Sequence, residues 1–362
     1  MDHFSSIPKE LLYIIISHIE YKTHIDNLII ASDFIGELLS DDKEWEKLSF
    51  FTGKKAKGKK EYAAHKFKTG LYTLGIMLKL DFRYGNIKLF SMGTDHVIVV
   101  NQDNEIYAKG NNEYGQLGIG VENINKICVS NFYKIEGNFG EIKQISCGNN
   151  RSAFITEDDE LYVFGCNIHN GVGYNAVYNN IYTPTKSFGE LKVKRIECNT
   201  HLAFLTENDD LYITHGNDWP IVIDSDVKNF SYNGDMIAYI TNDGKGITQT
   251  SSYGLYTKSV ENNYSILYNN RYDSDHDNIF LWKKHIGLIC KDQVIIGSTS
   301  DKPIDLIKLN TPDARKIIKS DIFAILYEDY SLHVIKKFGN KIINNVIDAS
   351  SNGETIVYLK YE

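Results

Sequence analysis

Short apolar runs alternate with polar turns along the middle of the chain, and this alternation returns at a regular interval. Gly93 and Gly110 enclose one copy of the pattern, and Gly148 and Gly165 enclose a second copy at the same spacing. Each copy holds two β-rich runs, VIVV then EIYAK and SAFIT then ELYVF, separated by the turn residues QDN and EDD. Acidic and amide residues favour tight turns, so each copy predicts a β-hairpin.

The hairpin pattern recurs along the rest of the chain. Further copies, fainter towards the C-terminus, lie at residues 193–216, 229–250, 278–300 and 316–339. The last copy is split, because residues 345–362 supply a first half and residues 69–75 form a second half before the first full copy. Radial closure of four-stranded blades leaves only short, protected edges. We therefore predict a mainly β fold, a seven-bladed β-propeller over residues 69–362 whose terminal blade joins 69–75 to 345–362.

A helical pattern precedes the repeats. In residues 7–19, IPKELLYIIISHI, Pro8 suits a first helical turn, and Leu11, Ile15 and Ile19 follow on one helical line. Two further amphipathic stretches end near Trp45. The pattern predicts a small all-α domain over residues 1–50 with apolar faces left over for a partner. Periodicity does not separate a binding face from a core face, so helices that cap the propeller remain an alternative.

Residues 51–68 are predicted to form a basic linker and then a short stretch whose composition favours a helix. Its lysines cluster in the sequence TGKKAKGKK. Such a cluster could contact nucleic acid or acidic lipid, but no aromatic residue is interleaved as a stacking platform would require. We favour a solvated connection.

Composition narrows the classes of function. The 362 residues carry a formal net charge of −8, which provides no overall positive field for a nucleic-acid backbone. The five cysteines are widely spread and show no zinc-ligand spacing, which fits a reducing compartment. The N-terminus lacks a secretory signal, and the densest aliphatic stretch is too short to span a membrane. We expect a cytoplasmic protein with no membrane contact.

No motif in the chain carries catalytic, metal or cofactor chemistry. Asp273–Asp277 imitates the opening of a calcium loop, but Asn278 and Lys284 stand where glycine and glutamate are required. His96 and His201 occupy comparable repeat positions without an adjacent nucleophile, and phosphate-binding and hydrolase motifs are absent from the sequence. Cys147 and Cys198 also occupy equivalent positions, which suits small buried side chains. We expect a non-catalytic protein with no cofactor, no metal and no catalytic residues.

The N-terminal run Ile7-Pro8-x-Glu10-Leu11-Leu12-x-x-Ile15-Ile16, with Leu38-Leu39 and Trp45-x-x-Leu48 further on, resembles an F-box. That family docks on a Skp-type adaptor of cullin-based ubiquitin ligases. The resemblance implies adaptor contacts for the motif residues Ile7, Pro8, Leu11, Leu12 and Ile15. The sequence departs from the pattern at Ile7, where the family prefers leucine, and at residues 33–35, where a basic and aromatic pair is common.

The stretch Gly110-Asn111-Asn112-Glu113-Tyr114-Gly115-Gln116-Leu117-Gly118 resembles the signature of the regulator of chromosome condensation family, Gly-x-Asn-x-x-Gly-Gln-Leu-Gly. The second copy keeps Gly171-Val172-Gly173 in its place, and later copies are weaker. The glycines are explained by positive φ and by close approach of neighbouring blades, so we assign Gly115 and Gln116 to the framework.

Three functions follow from these resemblances. The main hypothesis is a substrate-recognition adaptor of a cullin-type ubiquitin ligase, whose F-box binds the Skp-type adaptor and whose propeller rim binds a target protein. The alternative is guanine-nucleotide exchange on a small GTPase, the activity of the founding propeller of the repeat family. A third is a structural or virion-associated propeller, because the chain is similar to F-box repeat proteins of large DNA viruses, which implies host cytoplasm or nucleus.

Overall fold

The computed structural model describes most of the chain from residue 79 onwards and short segments before it. The described residues are 38–40, 43–45, 69–73, 79–123, 125–168, 171–173, 180–214, 220–243, 246–252, 255–258, 278–282, 285–290, 293–298, 307–310, 314–318, 323–327, 329, 331–335, 341–351 and 356–361.

The first strands of the described chain are β1 (Thr69–Thr73) and β2 (Lys79–Leu80). Three blades of four antiparallel strands follow. Blade 1 contains β3 (Ile87–Met92), β4 (His96–Asn101), β5 (Ile106–Asn111) and β6 (Cys128–Ile135). Blade 2 contains β7 (Ile142–Cys147), β8 (Arg151–Thr156), β9 (Leu161–Gly165) and β10 (Ile181–Lys186). Blade 3 contains β11 (Val193–Cys198), β12 (Leu202–Thr206), β13 (Leu211–Ile213) and β14 (Ile221–Asp224).

Three more blades repeat this order. Blade 4 contains β15 (Val227–Tyr232), β16 (Met236–Thr241), β17 (Gly246–Ser252) and β18 (Leu255–Lys258). Blade 5 contains β19 (Asn278–Trp282), β20 (His285–Cys290), β21 (Gln293–Ser298) and β22 (Ile307–Asn310). Blade 6 contains β23 (Ala314–Ile318), β24 (Phe323–Tyr327), β25 (Leu332–Ile335) and β26 (Lys341–Ile343).

The remaining sheet combines both ends of the repeat region. β27 (Val346–Ser351) pairs with β28 (Ile356–Tyr361), and β28 pairs in turn with β1, where Leu71 lies opposite Leu359. β2 completes this composite sheet on the outer side of β1. β27 contacts β3 of blade 1 on one side and β23 of blade 6 on the other. The composite sheet therefore closes the ring.

The fold class predicted from the sequence needs a correction. Consecutive strands form six blades, not seven, and the remaining four-stranded sheet is assembled from the two chain ends. The predicted helical domain over residues 1–50 stays a prediction, and the described residues contain almost no helix beyond short turns near residues 38 and 43–45 and the 3-10 helix Val121–Asn123. Most of residues 1–50 lie outside the described part of the chain. The structure shows a mainly β propeller.

The core lies between neighbouring blades. Every residue of β4, β8, β12 and β16 is buried, because each of these second strands is covered on both sheet faces. Phe154 stacks on Tyr162 across β8 and β9 with ring centroids 5.1 Å apart, and Phe204 stacks on Tyr212 at the same separation in blade 3. Such cross-strand aromatic pairs stabilise hairpins. Among the described helices, none is long and apolar enough to cross a bilayer.

Candidate functional site

Successive strands run in opposite directions, so the connections of each blade lie at two opposite ends of the ring. We call one end the loop face: it carries the first connections of blades 1–4, at residues 93–95, 148–150, 199–201 and 233–235, and the third connections, such as residues 112–127. The other end is the turn face. It carries the tight second connections, at residues 102–105, 157–160 and 207–210.

Hydrogen bonds between neighbouring blades hold the inner rim of the loop face. The Thr94 amide donates to Gly148 O at 3.3 Å, and the Thr94 hydroxyl donates to Asn149 Oδ1 at 3.2 Å. The Asn149 amide then donates to Asn199 O of blade 3 at 3.2 Å. Each loop is thus fixed by the next, and the rim offers a rigid surface.

The signature segment of blade 1 packs against blade 2. Gln116 is fully buried, and its side-chain amide donates to Asn111 Oδ1 at 3.2 Å. Gly115 has φ +82°, and a Cβ there would lie 2.8 Å from Ile181 O of β10. Glycine is required because its backbone both adopts a left-handed conformation and touches the next blade. These contacts support the framework role expected for Gly115 and Gln116.

His96 forms a buried polar link between blades 1 and 2. Its Nε2 lies 2.8 Å from Ser152 Oγ, and the Ser152 hydroxyl donates to Gln116 O at 2.9 Å. Because the single hydroxyl proton of Ser152 goes to Gln116 O, Ser152 Oγ accepts its second hydrogen bond from the ring. The proton of the neutral imidazole is therefore assigned to Nε2. Burial lowers the pKa of His96 to about 4, and a hydrogen bond to the backbone of Arg151 offsets this only in part. The imidazole is therefore a neutral structural link.

Arg151 takes the equivalent repeat position in blade 2. Its Nε donates to Cys166 O at 2.9 Å, and its NH2 lies 3.8 Å from Cys166 Sγ. A Cβ on Gly171 would lie 2.5 Å from the guanidinium NH2. No sequence motif marks Arg151 as a functional residue. The available signal was its alignment with His96 and His201 in the neighbouring copies.

Two large apolar side chains project from the third connection of blade 1 on the loop face. Val121 is 64% exposed and Ile127 is 60% exposed. The loop that carries them is ordered from within, because the Asn123 amide side chain donates to Ile119 O at 2.6 Å and buried Leu117 anchors its start. Ile168 of blade 2 is also exposed on this face. Exposed apolar side chains on a fixed loop are typical of protein-binding surfaces.

Polar side chains on the turn face serve the framework. Asn104 has φ 62°, its amide donates to Gly140 O at 2.6 Å, and its Oδ1 accepts from the Ile142 amide at 2.9 Å. Asp209 has φ 65°, and its hydrogen bond from Lys194 lowers the pKa of its carboxyl. These residues form turns and tie neighbouring strands together.

The residues predicted to bind a Skp-type adaptor, Ile7, Pro8, Leu11, Leu12 and Ile15, lie outside the described part of the chain. Of the wider motif, Leu38, Leu39 and Trp45 are described and buried, and Trp45 Nε1 donates to Leu39 O at 2.8 Å. These three side chains are therefore interior residues.

The candidate calcium loop lies outside the described residues, whereas the two equivalent repeat cysteines are described. Asp273–Asp277 falls outside the described residues, and within the described chain no cluster of His, Cys, Asp or Glu side chains could hold a metal ion. Cys147 and Cys198 are buried free thiols, as predicted, and burial raises the pKa of each to about 12.

The repeats of blades 1 and 2 define the class of this propeller. A model of the regulator of chromosome condensation (RCC1) repeat matches residues 87–116 and 142–171, and a second model of this repeat matches residues 103–155. Blades 1 and 2 therefore contain RCC1-type repeats, and this part of the chain is similar to a GTPase regulator homolog and to an RCC1-like G exchanging factor-like protein.

Three curated relatives illustrate this likeness. The X-linked retinitis pigmentosa GTPase regulator homolog of Caenorhabditis elegans is 28% identical over 153 residues, 41% of this chain and 11% of that protein. The human X-linked retinitis pigmentosa GTPase regulator is 38% identical over 94 residues, 26% of this chain and 9% of that protein. The human RCC1-like G exchanging factor-like protein is 32% identical over 104 residues, 28% of this chain and 22% of that protein. The chain thus aligns with less than a quarter of each relative.

Solved structures share the fold. Prp20p of Saccharomyces cerevisiae, described with its binding properties to Gsp1p and histones, superposes with a TM-score of 0.62 and 13% identity over 82% of this chain and 92% of that chain. Human WBSCR16 superposes with a TM-score of 0.52 and 16% identity over 76% of this chain and 72% of that chain. At such low identity, these likenesses show the propeller fold alone.

Proposed function

We propose that this protein regulates a small GTPase, as an exchange-factor-like propeller that binds the GTPase through the loop face. The observation that carries the proposal is the RCC1-repeat match over blades 1 and 2, the blades that present Val121, Ile127 and Ile168 on this face. The names of two matched relatives, a GTPase regulator and a G exchanging factor-like protein, supply the class of partner.

This activity requires no bond-making residue in the propeller. A protein that binds the nucleotide-free form of a GTPase more tightly than the nucleotide-bound form shifts the equilibrium towards release. A rigid surface suits that task because little entropy is lost on binding. The hydrogen-bonded inner rim and the internally ordered loop of Val121 and Ile127 provide such a surface.

The direct test is nucleotide release from a panel of small GTPases preloaded with a fluorescent guanine nucleotide. We expect the wild-type protein to accelerate release from at least one member, and Val121→Asp with Ile127→Asp to reduce this acceleration at least tenfold. Ile342→Asp is the matched control, because Ile342 is 58% exposed on β26, an outer strand of blade 6. A panel with no accelerated member would contradict the proposal.

A second candidate function is recruitment to a ubiquitin ligase through the F-box-like segment. It is favoured by the motif from Ile7 to Ile15 and by the later pair Leu39 and Trp45, which are buried and joined by a hydrogen bond. Co-purification of the full chain with a Skp-type adaptor tests it, with Leu11→Asp expected to abolish retention. If the wild-type chain retains no adaptor, this function fails while the exchange proposal stands.

A further inference from the structure

Arg151 is a buried cation whose described partners are neutral. It is 8% exposed, and within the described part of the chain none of the ion pairs includes it. A guanidinium carries five N–H donors, and the described residues provide acceptors for two, both on Cys166. Burial of a charge without a counter-charge costs several kcal/mol.

Blade 1 has neutral side chains at the repeat positions equivalent to Arg151 and Gly171. In blade 1, His96 occupies this repeat position and the Gln116 side chain donates to Asn111. In blade 2, Gly171 replaces the glutamine and the Arg151 guanidinium donates to Cys166, the residue equivalent to Asn111. The acceptor is the Asn111 side chain in blade 1 and the Cys166 backbone oxygen in blade 2, and the guanidinium lies where a side chain at position 171 would begin. A glutamine there would fill the same space without a charge.

The neighbouring thiols do not supply the missing negative charge. Arg151 lies close enough to Cys198 to favour its thiolate, but burial dominates and raises the pKa of that thiol to about 12. Cys198 is therefore neutral at physiological pH. The charge of Arg151 remains uncompensated among the described residues, at the end of blade 2 that meets the loop face.

We propose that Arg151 is the centre of an oxyanion site on the loop face between blades 2 and 3, which accepts a carboxylate or a phosphate group. The planar guanidinium donates two parallel hydrogen bonds to either group, and low surrounding polarity strengthens them. A carboxylate would come from an acidic side chain of a bound protein. A phosphate would come from a phosphorylated ligand.

The test compares the full-length protein with the double variant Arg151→His and Gly171→Gln, which rebuilds the His and Gln pair of blade 1. Gly171 does not have a left-handed φ, and the three atoms nearest to an added Cβ all belong to the guanidinium that the variant removes. Sodium phosphate and sodium acetate are titrated separately by calorimetry, with sodium chloride at matched ionic strength as the reference. Thermal unfolding of each protein shows that the variant is folded.

We expect one of the two anions to bind wild-type protein with one-to-one stoichiometry and at least tenfold more tightly than the double variant. Acetate binding alone identifies a carboxylate ligand, and phosphate binding alone identifies a phosphate ligand. Equal binding to both proteins, or no binding of either anion, would overturn the site. Arg151→Lys, which keeps the charge but loses the planar fork, is expected to bind with intermediate affinity and serves if the double variant does not fold.

Discussion

At the scale of single residues, one repeat position carries a neutral side chain in blade 1 and a charged side chain in blade 2. His96 in blade 1 is a neutral ring that links two blades through Ser152, whereas Arg151 in blade 2 brings a charge that its described partners do not balance. A second repeat position differs as well, because Gln116 stands in blade 1 where blade 2 has Gly171, and Gly171 leaves room for the guanidinium. The two blades therefore differ in charge at this repeat position.

The buried neutral state of His96 predicts a pH dependence of folding stability. The pKa of His96 is lowered to about 4 in the folded protein, whereas the unfolded chain binds the proton near pH 6.5. The unfolded state is therefore favoured as the pH falls from 6.5 towards 4, and the stability contribution is complete above pH 6.5. We expect His96→Gln to remove on the order of 3 kcal/mol of this pH dependence, as measured by urea unfolding at several pH values. An unchanged slope in the variant would contradict this assignment.

A side chain at Gly115 is expected to destabilise the fold for two separable reasons, its backbone conformation and its contact with blade 2. Gly115→Ala combines a left-handed φ of +82° with a contact 2.8 Å from Ile181 O, so we expect a loss of about 2 to 4 kcal/mol. Gly189→Ala is the matched control, because its φ is +57° but nothing lies within 4 Å of the added Cβ. The control should lose only about 1 kcal/mol. Equal losses in thermal unfolding would show that the contact with blade 2 is unimportant.

At the scale of elements, sequence patterns located the strands that are buried. The VIVV and SAFIT runs correspond to β4 and β8, whose residues are all buried, so their apolar character is continuous. The fourth strands were not predicted. β6 is mainly exposed, and the long connection at residues 112–127 separates it from the hairpin, so neither composition nor spacing marks it.

The role of Arg151 at the candidate site also could not be predicted from the sequence. The role of Arg151 depends on its proximity to Gly171 and Cys166, which the sequence separates from it. A pattern of apolar and polar residues does not record such contacts. The alignment of copies shows an arginine at a histidine position, but only the packing shows that its guanidinium lies against Gly171, the residue at the glutamine position.

The composite sheet predicts that the ends of the repeat region stabilise the ring together. Leu71 of β1 is fully buried and lies opposite Leu359 of β28. We expect Leu71→Ala to lower the free energy of unfolding by about 2 to 5 kcal/mol because it leaves a cavity. Ile342→Ala, at a site 58% exposed, should change it by less than about 0.5 kcal/mol. Similar urea midpoints for the two variants would mean that the composite sheet does not contribute to global stability.

At the scale of the whole molecule, the topology determines where the N-terminal segment joins the ring. Thr69, the first residue of β1, pairs with Tyr361 at the end of β28, and this point of the composite sheet corresponds to the turn between the second and third strands of a blade. Thr69 therefore lies at the turn face. The exposed Val121 and Ile127 lie on the loop face, at the opposite end of the strands.

This arrangement predicts that the two proposed functions respond independently to substitution. Leu11→Asp should abolish retention of a Skp-type adaptor and leave nucleotide release unchanged, while Val121→Asp with Ile127→Asp should have the reverse effect. Effects of distant sites that share no partner are additive, so the triple variant should show the sum of both losses. Both assays are run on all three full-length variants and the wild type. Loss of both activities in Leu11→Asp alone, or in the variant that combines Val121→Asp with Ile127→Asp, would show that adaptor and GTPase compete for one surface. The assignment of separate faces would then be wrong.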